Sequence, residues 1–179
     1  MAYWGWRTDR ARGSGTLVPD MRKEIAMHTV ANLLTAKQHW DDSYDRVEAV
    51  VTIKPEATAR DAARLMSDRH VGALVVTDPA GRMVGIVTER DVLRRLVAVA
   101  KPPDSTTVGE IMTRAVLSCT PQTTLDEVRR TMRERRIRHV PVLDEGRPIG
   151  MVSIGDLNAA LNQDLMVTVR AMEAYITQG

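Results

Sequence analysis

Residues 72–91 read GALVVTDPAGRMVGIVTERD, and residues 138–156 read RHVPVLDEGRPIGMVSIGD. Both contain an apolar, β-branched stretch, a turn, a second apolar stretch carrying a glycine, and a hydroxyl-x-x-Asp step. Short apolar runs bounded by turn residues read as buried strands, and the DPAG and DEG segments are turn chemistry. The second run is one residue shorter, and the loss falls in the turn. Val76 and Val142, Asp78 and Asp144, Gly81 and Gly146, Arg82 and Arg147, and Gly85 and Gly150 are identical pairs. Order and spacing held over such a length mark an internal repeat, which bears on the architecture before any single motif does.

The repeat extends upstream. Thr58 opens a predicted helix with Ala62, Ala63, Leu65 and Met66 on its apolar side. Thr124 opens the counterpart, where Glu127 completes a capping box and Leu125, Val128 and Met132 follow at helical spacing. Short strands are expected at Val50–Ile53 and Val116–Cys119, and TVANLLT (29–35) is answered by TVGEIMT (107–113). Downstream, Thr88 and Ser153 stand where a helix N-cap belongs, with Asp91 and Asp156 at the third helical position. Each unit therefore reads β-α-β-β-α. The fold class is α/β, in the α+β sense, built from tandem repeats that form a pseudo-twofold pair.

The expected divisions follow. Residues 1–27 form a disordered or cloning-derived tail, with Met21 and Met27 as alternative starts. Residues 28–100 form the first repeat, 101–107 (KPPDSTT) a linker and 108–162 the second repeat. Residues 163–179 hold a C-terminal helix with Leu165, Val169, Met172 and Ile176 at helical spacing. The stretch QHWDDSYDRVEA (38–49) has no counterpart, and its Trp40 and Tyr44 read as loop anchors in preference to a cleft cover.

Composition narrows the function. The chain has 179 residues, no Phe, three Trp and three Tyr, so its core is aliphatic and a flat ligand would meet aliphatic walls. Residues 1–27 hold five Lys or Arg and three Asp or Glu, and the rest of the chain is neutral. A neutral body argues against a nucleic-acid footprint. The six arginines of 129–139 read mainly as a solvated helix face, for Arg129, Arg130 and Arg133 above all. Cys119 is the single cysteine and reads as a small buried residue. The four histidines lack metal-ligand spacing, so no metal site is expected. No nucleophile-base-acid set and no glycine-rich phosphate loop with lysine is present, so no enzyme is expected. Ile25–Ala36 is too short and polar to span a bilayer, and no secretory signal is evident, so a cytoplasmic protein without membrane association is expected.

The duplicated hydroxyl-x-x-Asp step has two readings. As structure, Thr88/Asp91 and Ser153/Asp156 are capping boxes with Asp in place of Glu, and Gly85 and Gly150 permit close packing. As chemistry, a helix N-terminus attracts phosphate, a hydroxyl there can bond a phosphate oxygen, and a carboxylate one turn in can accept a ribose diol.

The segments GALVVTD, GIVTERDV, TVGEIMT, RIRHVPVLD and IGMVSIGDL together resemble a pair of CBS motifs, the cystathionine-β-synthase type, arranged as a Bateman module from about His28 to Leu161. The resemblance implies a non-catalytic sensor binding adenosine-containing ligands (AMP, ADP, ATP or NAD) in clefts between the repeats. S-adenosylmethionine and cyclic dinucleotides rank lower. No cofactor is required, and magnesium would enter only with ATP. The first-ranked cleft would use Ser153 for phosphate and Asp156 for ribose, lined by Met151, Arg138 and His139, with Val51 and Val71 from the first repeat. The other would use Thr88 and Asp91, with Ile86, Gly72 and Ala73, Leu117 and Ile137 from the second repeat, and Arg90 either on phosphate or solvated. Arg138 and His139 would supply cationic groups that Gly72 and Ala73 lack. The resemblance further implies a homodimer and a regulated partner protein. The competing readings are a ligand-independent interaction scaffold and, ranked below it, a nucleotide-using enzyme.

Overall fold

A computed structural model describes residues 6–8, 17–19, 29–40 and 50–177. The elements are β1 (Trp6–Thr8), β2 (Leu17–Pro19), α1 (Val30–Trp40), β3 (Thr52–Ile53), α2 (Ala59–Asp68), β4 (Ala73–Thr77) and β5 (Met83–Thr88). They continue with α3 (Glu89–Arg95), a 3-10 turn (Val97–Val99), α4 (Val108–Ile111), α5 (Leu125–Arg135), β6 (His139–Asp144), β7 (Arg147–Ser153) and α6 (Ile154–Thr177). Within the expected 1–27 tail, β1 and β2 pair antiparallel, and the rest of that tail lies outside the described residues. So does Tyr44, together with the side chain of Trp40.

The β-α-β-β-α order holds in the first unit. β3 runs parallel to β4, pairing Ile53 with Val76, and β4 runs antiparallel to β5, pairing Ala73 with Thr88. In the second unit β6 and β7 repeat the hairpin, pairing His139 with Ser153. The strand expected at Val116–Cys119 shrinks to one parallel bridge between Cys119 and Val142. The cause is Pro141. Its counterpart Val75 donates its N–H to Val51 O at 3.0 Å, whereas a proline has no N–H to give to Leu117. Cys119 is buried as expected, and burial pushes its thiol up to about 11.

The residue missing from the second turn has a backbone explanation. Glu145 and Gly146 both adopt positive φ, 48° and 79°, between the paired Asp144 and Arg147. That is a two-residue type I′ connection. In the first turn only Gly81 adopts positive φ, at 78°. There Asp78 and Arg82 bracket three residues, with Asp78 N–H donating to Arg82 O at 2.9 Å.

The helices begin on capping boxes. Thr58 with Asp61, Thr88 with Asp91 and Thr124 with Glu127 each close a reciprocal pair of bonds, and at Thr107 the amide and hydroxyl both donate to the Glu110 carboxylate. The helix after Ser153 and the expected C-terminal helix form one continuous α6 of 24 residues, with no break near residue 163. Its Leu165 and Val169 are exposed, and the side chains of Met172 and Ile176 lie outside the described residues.

The two cores exchange their leading segments. Val30 and Leu33 of α1 pack with Val128, Met132, Val140, Val142, Val152 and Leu157 of the second repeat. Val108 and Ile111 of α4 pack with Ala62, Met66, Leu74, Val76 and Val87 of the first. The backbone bonds match: Val30 N–H donates to Thr123 O at 2.9 Å, and Val108 N–H donates to Ala57 O at 2.8 Å. Gly85 and Gly150 make room for these crossed segments. A Cβ on Gly85 would lie 2.6 Å from Met112 Sδ and 3.0 Å from Thr113 O, and one on Gly150 would lie 2.8 Å from both Leu34 methyls.

Candidate nucleotide-binding clefts

At the first step, β5 delivers Thr88 to the start of α3. The Thr88 hydroxyl accepts Asp91 N–H at 3.2 Å and donates to Asp91 Oδ2 at 2.7 Å, while Thr88 N–H reaches the same oxygen at 3.0 Å. Asp91 Oδ1 faces Thr113 Oγ1 at 3.4 Å and Arg95 Nη1 at 3.5 Å. The same Nη1 also donates to the carbonyls of Ile111 and Met112, at 2.8 and 2.7 Å. Arg95 therefore ties the crossed α4 segment to the helix start.

At the second step, Ser153 N–H donates to Asp156 Oδ2 at 2.7 Å and Asp156 N–H donates to Ser153 Oγ at 3.2 Å. The cation there comes from α1. Lys37 Nζ lies 3.0 Å from Asp156 Oδ2 and donates to Met151 O at 3.1 Å. The capping geometry is thus real at both steps. The first N–H of each helix goes to the carbonyl of Gly72 or Arg138, and the third goes to the cap hydroxyl. That leaves the Arg90 and Gly155 N–H groups as the basis for anion binding.

The repeats meet around His139. A Cβ on Gly72 would lie 3.2 Å from its Cε1 and 3.3 Å from Glu89 Oε2, so the glycine gives the imidazole room beside the first helix start. Burial pushes the His139 pKa below its ordinary value, outweighing the Glu89 and Asp156 carboxylates that raise it. That burial disfavours the charged imidazole its expected cationic role requires. Arg138 is exposed, and its carbonyl receives Ile154 N–H at 3.0 Å just as Gly72 O receives Glu89 N–H at 3.2 Å.

The lining residues divide by burial. Val51, Ala73 and Ile86 keep 5–7% of their surface exposed. Val71, Ile137 and Met151 are half-buried, and Leu117 is exposed. Arg90 Nη1 donates to Arg136 O at 3.1 Å, across the two repeats. The side chain is exposed, as the solvated reading expects, and one of its guanidinium nitrogens is engaged in this bridge.

Lys37, Arg95 and Thr113 escaped the sequence reading. Arg95 stands four residues after Asp91, a helical spacing that signals a pair. Lys37 aligns with Ala115 in the repeated segment, so comparing the copies conceals it. Among the described residues, no three His, Cys, Asp or Glu side chains gather as a metal site. No helix among them is long and apolar enough to cross a membrane.

The architecture is a tandem pair of matched α/β units with crossed leading segments. The model of the CBS domain family matches residues 47–98 and 108–163. The chain belongs to the CBS-domain family and carries two CBS repeats. It is 39% identical over 126 residues to the CBS domain-containing protein CBSX3, mitochondrial, of Arabidopsis thaliana, covering 68% of this chain and 61% of that one. The chain thus spans less than two thirds of that relative's length. A solved structure of a candidate signal-transduction protein with CBS domains from Burkholderia ambifaria shares 38% identity, with a TM-score of 0.67 over 76% of this chain and 95% of that one. The CBS domain pair of protein MJ0100, solved with 5′-methylthioadenosine and S-adenosyl-L-methionine, shares 28% identity and a TM-score of 0.59 over 64% of this chain and 90% of that one.

Proposed function

We propose that this CBS pair is a non-catalytic sensor that binds adenosine-containing ligands, AMP, ADP, ATP or NAD, between its repeats. The observation that carries the reading is the Ser153/Asp156 step at the start of the long helix α6. It combines a helix N-terminus, a hydroxyl and a carboxylate one turn apart. The Thr88/Asp91 step is the secondary cleft, because its hydroxyl and its arginine are already engaged internally. The adenosine-containing compounds bound by MJ0100 favour this ligand class.

No cofactor is needed in this reading, and magnesium enters only with ATP. The protein acts in the cytoplasm as a homodimer on a regulated partner protein. The exposed Leu165, Met166 and Val169 of α6 offer an apolar strip to a second copy. A ligand changes shape or partner affinity only through unequal binding to two states.

Titration calorimetry with AMP, ADP, ATP and NAD tests the reading. Saturable binding to the full chain is expected, and no heat at millimolar ligand would overturn it in favour of an interaction scaffold. Ser153→Ala separates cap from ligand. Loss of the cap alone costs ~1 kcal/mol of stability. A lost phosphate contact weakens binding on the order of tenfold to a hundredfold.

A further inference from the structure

We infer that Lys37, reaching across from α1, is the residue that makes the second cleft select phosphate-bearing ligands over their uncharged nucleosides. The inference rests on the nucleotide-binding reading above and names the specificity of that same cleft.

The two steps differ in where their protons go. At the first step the Thr88 hydroxyl spends its proton on Asp91 Oδ2, at 2.7 Å. At the second step the ammonium of Lys37 takes the corresponding oxygen, Asp156 Oδ2, at 3.0 Å. Ser153 Oγ accepts Asp156 N–H at 3.2 Å, and among the described residues nothing takes its own hydrogen. Lys37 thereby leaves a hydroxyl donor uncommitted at the mouth of α6. The ammonium itself has three hydrogens. Among the described residues two are engaged, by Asp156 Oδ2 and Met151 O. Its third is a charge-assisted donor beside the same helix start, where an anionic oxygen gains most.

The other cations fit this task less well. Arg138 is exposed, and an exposed charge is screened by water and salt. Arg90 is bound to Arg136 O. Arg95, on the first step, spends its Nη1 on two backbone carbonyls. Lys37 keeps 29% of its side chain exposed against 16% for Asp156, so it is partly desolvated yet reachable. Asp156 Oδ1 takes no bond among the described residues and remains for a ribose hydroxyl. The ammonium and a ribose therefore need not compete for one oxygen.

The test is calorimetric titration of the full chain with AMP and with adenosine, on wild type, Lys37→Met and Lys37→Arg. The wild type is expected to prefer AMP. Lys37→Met is expected to lose roughly tenfold to a hundredfold in AMP affinity while adenosine changes less than about threefold. Lys37→Arg is expected to restore most of the preference for AMP. Unchanged AMP affinity in Lys37→Met overturns the inference. So does tighter binding of both ligands, which would make the ammonium a competitor for the ribose site. Equal loss of AMP and adenosine also overturns it, since Lys37 would then only hold the cleft in shape. If the wild type binds none of adenosine, AMP, ADP, ATP and NAD, the nucleotide reading falls and this inference falls with it. If it binds ADP, ATP or NAD but not AMP, the inference alone falls. If the wild type binds AMP but Lys37→Met behaves like it, the inference alone falls.

Discussion

At Thr88 the cap, its acid and its cation all come from one stretch of chain: the hydroxyl bonds Asp91, and Arg95 pairs with it one turn on. At Ser153 the same backbone turn holds Asp156, but the cation arrives from 119 residues away, as Lys37. Arg95 aligns with Ala160 and Lys37 aligns with Ala115, so each copy has what the other lacks. The bonds that shape the turn, from amide to carboxylate and from amide to hydroxyl, are common to both. Duplication preserved the frame that any helix start needs, and the copies diverged in the charges placed on it. Under the proposed nucleotide reading, that division predicts unlike ligand preference at the two steps.

The largest expected effect tests the crossing that brings Lys37 to the second repeat. Leu33→Ala and Ile111→Ala each remove a buried side chain and should each cost about 2–5 kcal/mol. Their local effects should be exchanged. Hydrogen exchange in Leu33→Ala should quicken at Val140 and Val152 ahead of Leu74 and Val87, and Ile111→Ala should show the reverse. If each variant loosens instead the repeat that follows it in sequence, the crossed packing is wrong.

The paired glycines sharpen the comparison at smaller scale. Gly85→Ala meets a backbone carbonyl, Thr113 O at 3.0 Å, as well as Met112 Sδ, and should cost about 1–3 kcal/mol. Gly150→Ala meets only the methyls of Leu34, which can turn aside, and should cost less. Urea midpoints decide this, and an equal or larger loss at Gly150 would contradict the difference drawn here.

The smallest effect concerns the helix caps that the repeats share. The Thr58 hydroxyl and amide hold Asp61 below its usual range, and the Thr124 amide and hydroxyl do the same for Glu127. A carboxylate whose folded pKa is depressed stabilises the fold fully above its unfolded value, about 4. That contribution is lost as pH falls through the folded value. Melting temperature should therefore drop below about pH 4, and Asp61→Asn and Glu127→Gln should each flatten part of that drop to a similar degree. A wild-type profile without such a drop would show the caps contribute nothing that titrates.

Much of this was legible in the residues. The hairpins, the helix starts at Thr58, Thr88, Thr124 and Ser153, and the burial of Cys119 follow from local rules of periodicity and capping. The strand at Val116–Cys119 misled because its apolar pattern is local, whereas its length depends on a donor that Pro141, 22 residues on, cannot supply. His139 shows the same dependence on distant packing. A histidine next to an arginine reads as a cationic cluster, and only packing against Gly72 in the other repeat reveals a desolvated ring.

The sequence by itself determined the repeat, its β-α-β-β-α order and the two hydroxyl-x-x-Asp steps, because strands, turns and caps depend on neighbours within a few residues. Only the tertiary structure decided that the leading segments trade places, that Arg90 bridges the repeats, and that Lys37 serves Asp156. Those outcomes depend on which surfaces bury one another, and side chains far apart in the chain carry no local mark of their partner.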